Sequence, residues 1–144
     1  MSRPPLVASV PCSGCGLAVP GGTAGCQAIF EGLLERDFSD AAYFRVHRLM
    51  VDAYSLQHPE RYCVSVKSLA AHLTGLCWLD GASRLSKPEI PPVRGTLTIA
   101  EVRGAHGPEA HALAVERWAR SVWEAWSDLH ELARGWIGQA LAGA

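Results

Sequence analysis

The stretch that decides the fold runs Val46-His47-Arg48-Leu49-Met50-Val51-Asp52-Ala53-Tyr54-Ser55-Leu56-Gln57-His58-Pro59. It predicts one helix that begins near Asp40 and ends before Pro59, because proline cannot continue a helix. His47 and His58 share a face of this helix but lie about three turns apart, so they cannot bind one metal ion together. So many polar groups on a mostly apolar helix indicate the wall of a functional site.

Length and composition are those of one globular domain over residues 1–144. Of the 144 residues, 49% are hydrophobic and 19% are charged, which is enough apolar material to bury a core. The formal net charge of −1 offers no attraction to nucleic acid or to an anionic membrane. The sequence has no apolar run of transmembrane length and no signal-peptide core. We therefore expect a cytoplasmic protein with no nucleic-acid and no membrane partner.

Three of the five cysteines form a candidate metal site near the N-terminus. Cys12 and Cys15 form a C-x-x-C turn with glycines, and two thiolates at this spacing are half of a tetrahedral zinc site. Cys26 follows and favours metal binding, although a redox pair of Cys12 and Cys15 remains an alternative. Cys63 and Cys77 lack ligand spacing and are expected to be small apolar side chains. Zinc is the expected cofactor, because thiolates favour it over magnesium or calcium.

Hydrophobic periodicity predicts an all-α fold, a small antiparallel helical bundle with a Cys-rich N-terminal zinc knuckle. The knuckle covers residues 1–26, and three helices cover residues 27–81. Core candidates in the second helix are Phe44, Leu49, Val51 and Leu56. Residues 82–107 contain several prolines and glycines and predict a long irregular connection. Within that connection, residues 96–99 alternate like a strand, or Thr98 caps a helical turn.

One long C-terminal helix is predicted over residues 108–142, beginning at Pro108. Four of the five tryptophans lie on it, at Trp118, Trp123, Trp126 and Trp136. Large aromatic residues on a helix belong to a core or an interface more often than to a cofactor site. An exposed patch containing Trp123 and Trp126 would therefore indicate a protein-interaction surface.

Counting residues from the expected bends places the candidate metal ligands in one layer. If the second and third helices fold back near Arg61, His47 and His72 lie within about one turn of the same level. The same count about a bend at Phe38 brings Cys26 close to His47. The predicted metal ligands are accordingly Cys12, Cys15, Cys26, His47 and His72, with a histidine as the fourth ligand of a closed, structural site.

A second metal arrangement is an alternative, in which inward-facing histidines leave one coordination position for water or substrate. Asp52 or Tyr54 would then carry a proton or orient a ligand. The candidate catalytic residues are Asp52, Tyr54, His58 and His130. The simpler interpretation is that each histidine bonds to a neighbour and that Asp52 bonds to a nearby arginine or a helix end.

Five motifs carry a family resemblance: Cys12-Ser13-Gly14-Cys15-Gly16, Gly25-Cys26, the run 46–59, Ala71-His72-Leu73, and 118–126 followed by His130. Through them most of the chain resembles a bacterial family of small uncharacterised proteins, the domain of unknown function 5946. The resemblance implies positions but no activity. The implied polar positions are Cys12, Cys15, Cys26, His47, Asp52, Tyr54, Gln57, His58, His72 and His130. Leu129 stands where the family pattern often has a histidine, which weakens a role for two adjacent histidines.

Three functions are therefore expected candidates. The first is a zinc-binding protein with a polar pocket between helices that acts as a small hydrolase or lyase on a small-molecule substrate. The second is a non-enzymatic adaptor in which zinc is structural and the Trp-rich last helix binds a protein partner. The third is a thiol redox protein that uses Cys12 and Cys15.

Overall fold

The computed structural model of the protein describes residues 8–74 and 88–142, with side chains to residue 138. Over these ranges it is mostly helical, as predicted, with one two-stranded sheet. The elements are β1 (Ser9–Pro11), β2 (Ala18–Pro20), α1 (Thr23–Ser39), α2 (Ala41–Phe44), α3 (His47–Gln57), α4 (Pro59–Tyr62), α5 (Val66–Leu73), α6 (Ala100–Arg103), α7 (Pro108–Ala125) and α8 (His130–Ala142). None of the described helices combines the length and apolar character needed to cross a bilayer.

Residues 9–20 of the N-terminal knuckle form a β-hairpin, an element that the sequence did not predict. β1 and β2 pair antiparallel, with Val10 opposite Val19. The N–H of Cys12 donates to the carbonyl of Leu17, and the N–H of Gly16 donates to the carbonyl of Cys12, each at 2.8 Å. Gly16 has a φ of 81°, a left-handed conformation that favours glycine. The hairpin turn therefore holds the C-x-x-C motif.

Helix α1 follows the hairpin in the chain and packs against the other helices through one buried face. Its buried residues are Cys26, Phe30, Leu33 and Asp37, spaced by four, three and four positions, which is the period of one helix face. The ring of Phe30 stacks on that of Tyr54 in α3, with centroids 3.9 Å apart. This stacked pair fixes the first turns of α1 beside the C-terminal half of α3.

The predicted second helix is two helices, α2 and α3. Val46 interrupts the helix, because its φ of −108° and ψ of 15° lie outside the α region. The interruption changes which side chains face the core. Leu56 is buried as predicted, but Phe44 and Leu49 are exposed, so their assignment to the core was wrong.

The predicted C-terminal helix is also interrupted. α7 begins at Pro108, as expected, but a 3₁₀ turn over Ser127–Leu129 separates it from α8. Ser127 and Asp128 are weak helix formers, because their side chains compete for backbone hydrogen bonds. Three tryptophans nevertheless belong to the core, namely Trp118, Trp126 and Trp136, while Trp123 is 36% exposed.

The described part of the connection before α7 is irregular except for the short helix α6. A helical turn rather than a strand forms there, namely α6. Oγ1 of Thr98 accepts from the N–H of Ala100 at 3.3 Å, but Ile99, and not Thr98, is the residue at the N-cap. Helix α5 begins after the capping residue Ser65. The predicted continuation of that helix to Gly81, including Cys77, lies outside the described residues.

Candidate metal centre

Four side chains meet where the hairpin turn contacts the helices: Cys12, Cys15, Cys26 and His58. One donor atom from each lies within 4.8 Å of the other three. Nε2 of His58 is 3.4 Å from Sγ of Cys12 and 3.6 Å from Sγ of Cys26, and the sulfurs of Cys15 and Cys26 are 3.7 Å apart. A tetrahedral zinc ion would separate two sulfurs by roughly 3.8 Å and a sulfur and a nitrogen by roughly 3.5 Å. The cluster therefore has the dimensions of a four-ligand zinc site.

Three separate elements supply these ligands. Cys12 and Cys15 come from the hairpin, and Cys26 comes from the first turn of α1. His58 is the residue at which α3 ends, because Pro59 follows it and begins α4. The side chains of Cys12, Cys26 and His58 are buried, and that of Cys15 is partly exposed.

Hydrogen bonding sets the orientation of the His58 ring. Nδ1 of His58 lies 2.7 Å from the carbonyl oxygen of Tyr54. A carbonyl only accepts, so Nδ1 carries a hydrogen, and Nε2 is the nitrogen that faces the three sulfurs and could bind a metal ion among them. This is the usual arrangement of a metal-binding imidazole, whose second nitrogen is held by a backbone or carboxylate acceptor.

The side chain of Tyr54 forms a second layer behind the ligands. Its hydroxyl donates to Sγ of Cys26 at 3.7 Å, and its ring stacks on that of His58 with centroids 3.9 Å apart. Burial, followed by the bond to Cys26, raises the pKa of this hydroxyl far above its ordinary value. Tyr54 therefore stays protonated and supports two ligands at once.

Electrostatic conditions at the cluster favour the thiolate form of Cys12 and Cys15 but not that of Cys26. The hydrogen bond from Cys26 lowers the pKa of Cys15 to about 4, against the opposing effect of burial. Burial opposes ionisation of Cys12, but backbone N–H groups of Cys15 and Gly14 outweigh it and lower that pKa. The proton shared with Cys15, together with burial, raises the pKa of Cys26. Metal binding requires deprotonated sulfur, and this site already stabilises one thiolate strongly.

Gly14 and Arg94 hold the hairpin turn against the end of α3. A Cβ atom at Gly14 would lie 2.5 Å from Cδ2 of His58 and 2.8 Å from the carbonyl oxygen of Gln57. Nη1 of Arg94 donates to the carbonyl of Gly14 at 3.1 Å and to that of Gln57 at 3.4 Å. The guanidinium of Arg94 also pairs with the carboxylate of Glu60. The turn thus fits closely over His58.

Residues 94–97 are themselves fixed by Gln57, which is buried. Nε2 of Gln57 donates to the carbonyls of Arg94 at 3.0 Å and Leu97 at 2.8 Å. Its Oε1 accepts from the indole N–H of Trp118 at 2.9 Å. The irregular segment is therefore linked both to the metal centre and to α7.

The predicted ligands His47 and His72 lie apart from the three cysteines. Nδ1 of His47 is 3.0 Å from Asp37, and Nδ1 of His72 is 2.9 Å from Asp52. The residue count had aligned Cys26 with the N-terminal half of the second helix, because it assumed straight helices and no hairpin. The structure instead places Cys26 beside the residue that ends α3.

The predicted catalytic residues divide into two groups. Tyr54 and His58 lie at the metal cluster, where His58 is a candidate ligand. Asp52 instead accepts from Nε of Arg48 at 3.0 Å and bonds to His72, as the simpler interpretation expected. His130 stacks on Trp123, with ring centroids 3.7 Å apart, and its Nε2 donates to the Trp123 carbonyl.

Sequence reasoning missed the parts played by Asp37, Arg94 and His111. Asp37 had a signal, because it continues the spacing of Cys26 and Leu33 on the buried face of α1. Arg94 and His111 had none, since their partners lie far away in the chain.

The fold and the cluster define a class of protein: a mostly helical chain with three cysteines and one histidine arranged to hold a metal ion. A family model described as "Family of unknown function (DUF5946)" matches residues 10–83 and 79–127. The chain belongs to this family, as its motifs indicated. No curated protein and no solved structure matched the chain in the corresponding comparisons.

Proposed function

We propose that this protein binds one structural zinc ion through Cys12, Cys15, Cys26 and His58. The observation that carries the proposal is the set of distances among the four donor atoms, which agree with the edges of a zinc-centred tetrahedron. Three thiolates and an imidazole form a donor set suited to zinc.

Zinc at this position would join the hairpin to α1 and to the end of α3. Each hairpin strand has only three residues, and an isolated two-stranded hairpin of that size is not stable in water. The free energy of metal binding would therefore contribute directly to the folding of the N-terminal region.

A catalytic zinc site is the less favoured function, because such a site keeps one coordination position open. The cluster offers four protein ligands, which complete a tetrahedron. Tyr54 is also engaged with Cys26 and has no acidic hydroxyl to offer. A hydrolase or lyase reaction at this metal would require one of the four ligands to leave.

An adaptor function is compatible with structural zinc, but the tryptophans give it little support. Trp126 is fully buried, and Trp123 is partly exposed and stacked on His130. The two side chains do not form one exposed patch. The thiol redox function has a specific observation in its favour, namely the low pKa of Cys15.

Elemental analysis of the purified protein tests the proposal. We expect one zinc per chain and, after exchange with cobalt, the visible absorption bands of thiolate-bound Co²⁺. Cys26→Ser should abolish these bands. Cys63→Ser is the matched control, because Cys63 is equally buried but contacts the Ser55 carbonyl at 3.5 Å instead of the cluster.

Two results would overturn the proposal: metal-free protein of unchanged stability, or cobalt bands that persist in Cys26→Ser. Treatment with dilute peroxide distinguishes the thiol redox function from structural zinc binding. Zinc release together with a disulfide between Cys12 and Cys15 would favour redox function, whereas retained zinc would favour a structural role.

A further inference from the structure

A cavity of about 340 Å³ lies beside the candidate metal centre, between the hairpin turn, the first turns of α1 and helix α4. Its size is within the usual range of small-molecule sites, which begins at about 300 Å³. Tyr54 and His58 line the cavity and are buried, and Tyr62 beside them is half-buried, so these three rings form its floor. Ser13 and Arg61 also line it and are exposed, so they belong to its rim. The cavity therefore has an aromatic floor and a polar rim.

The rim carries one positive charge that the described residues do not neutralise. Glu60 is the acidic residue of the lining, and its carboxylate already accepts from both terminal nitrogens of Arg94. The guanidinium of Arg61 lies 5.7 Å from the centre of the Tyr62 ring, and it has no carboxylate partner in the described part of the chain. Arginine binds carboxylates through two parallel hydrogen bonds. The unpaired charge of Arg61 therefore favours an anionic ligand.

The hydroxyl groups at the cavity add hydrogen-bond donors. The hydroxyls of Ser13 and Thr23 share one bond of 2.9 Å, and Oγ1 of Thr23 also accepts from the N–H of Ser13. Two hydroxyls carry two hydrogens and their shared bond uses one, so one hydrogen is left to donate to a ligand. The hydroxyl of Tyr62 also has no partner among the described residues. A ligand rich in acceptor atoms, such as a carboxylate, satisfies these donors.

Two other cavities of about 370 Å³ differ in charge and serve as internal comparisons. One lies along α7 and is lined by two glutamates and two arginines, so its charges balance, and its described lining includes no aromatic ring. The other borders Trp126 and is lined by Glu89 and Asp128, with no basic residue in its described lining. The cavity beside the metal centre is the one of the three that combines an unpaired cation with aromatic rings.

We propose that this cavity binds a small aromatic monocarboxylate. The carboxylate pairs with the guanidinium of Arg61, and the ring packs on the floor formed by Tyr54, His58 and Tyr62. One negative charge on the ligand matches the one unpaired positive charge of the rim. The three cysteines of the metal centre do not line the cavity, so the ligand does not face their sulfurs. The proposal is separate from zinc binding, because Arg61 is not a candidate metal ligand.

Titration of the purified protein with benzoate, followed by NMR of the backbone amides, tests the proposal. We expect the largest shifts at Ser13, Gly14, Arg61 and Tyr62. Benzamide has the same ring without the charge, and acetate has the charge without the ring, so each should bind about tenfold more weakly than benzoate or worse. Shifts confined to other regions, or equal affinity for benzoate and benzamide, would overturn the proposal.

Arg61→Gln should weaken benzoate binding by about tenfold and leave benzamide binding unchanged. Because Arg61 is exposed, this substitution removes the charge without opening the core. Arg103→Gln is the matched control, since Arg103 is an exposed arginine of α6 outside the cavity, and it should bind benzoate like wild type. Unchanged benzoate affinity in Arg61→Gln, or an equal loss in Arg103→Gln, would overturn the proposal.

Measuring zinc in the same samples keeps the two proposals apart. Protein that contains zinc but does not bind benzoate would contradict the carboxylate site alone. Protein that binds benzoate at the cavity but does not bind zinc would support the carboxylate site and contradict the proposed metal centre alone.

Discussion

At the scale of single residues, the closest packing around the metal centre occurs at Gly14. Its backbone lies against the ring of His58 and the carbonyl of Gln57, at distances that leave no room for a methyl group. Neither neighbour is the flexible end of a long side chain, since one is a ligand ring and the other is backbone. Any side chain at this position must therefore displace His58 or the hairpin turn.

We expect Gly14→Ala to destabilise the zinc-bound protein by about 1–3 kcal/mol, the usual cost of overpacking. Urea unfolding in the presence of excess zinc measures this loss. Gly32→Ala is the matched control, because Gly32 lies inside α1 with open space around its Cβ position. That substitution should stabilise the protein by about 0.5–1 kcal/mol through helix propensity. Equal stability of the two variants would contradict the close packing described for Gly14.

Asp37 and His58 show how far single positions could be predicted. The periodic spacing of α1 was enough to place Asp37 on its buried face, although that inference was not drawn from the sequence. His58 was recognised as a candidate site residue on the polar face of the predicted second helix, but it was assigned to catalysis, and the histidine ligand of the zinc site was left open. Its partners are Cys12 and Cys26, which are 46 and 32 residues away in the chain. Local sequence patterns do not report contacts between residues so far apart in the chain.

At the scale of elements, the irregular segment over residues 94–97, here called the strap, connects the metal centre to the helices. Arg94 ties it to the hairpin turn, and Gln57 ties its backbone to α3 and α7. The strap therefore restrains His58 through the hydrogen bonds of Arg94 to the carbonyls of Gly14 and Gln57. It should control how fast the turn can open and release metal.

Arg94→Ala should accelerate zinc release by about tenfold, because it removes charged hydrogen bonds that hold the turn closed. Transfer of zinc to a coloured chelator in excess measures the rate. Arg94→Lys should restore part of the effect, since lysine keeps the charge but not the forked geometry. Arg103→Ala, on the exposed side of α6, is the control and should release zinc at the wild-type rate. The same rate in Arg94→Ala would show that the strap does not restrain the metal centre.

At the scale of the whole molecule, the proposed zinc site would be a source of stability separate from the main helical core. The core between α3 and α7 includes Met50, Trp118 and Val122, which are fully buried and are not metal ligands. The hairpin has no comparable core of its own. Removal of zinc should therefore affect the two regions unequally.

We expect chelation of zinc to leave most of the helical circular dichroism intact while the amides of residues 9–20 lose protection against hydrogen exchange. Zinc at a thousandfold excess over its Kd should add about 4 kcal/mol to the free energy of unfolding. Thermal melts with and without chelator, together with exchange measured by mass spectrometry, check both expectations. Complete loss of helical signal would show instead that zinc supports the entire fold, and unchanged protection would show that it supports neither part.

The sequence by itself determined the helical class, the family and the three cysteines of the candidate metal site. These follow from local periodicity and from short motifs, which depend on residues near one another in the chain. Tertiary structure alone decided that His58 joins the sulfurs and that His47 joins Asp37. The physical reason is that the β-hairpin and the break between α2 and α3 change which residues of distant segments lie side by side. Both features depend on packing between elements, which local sequence patterns do not report.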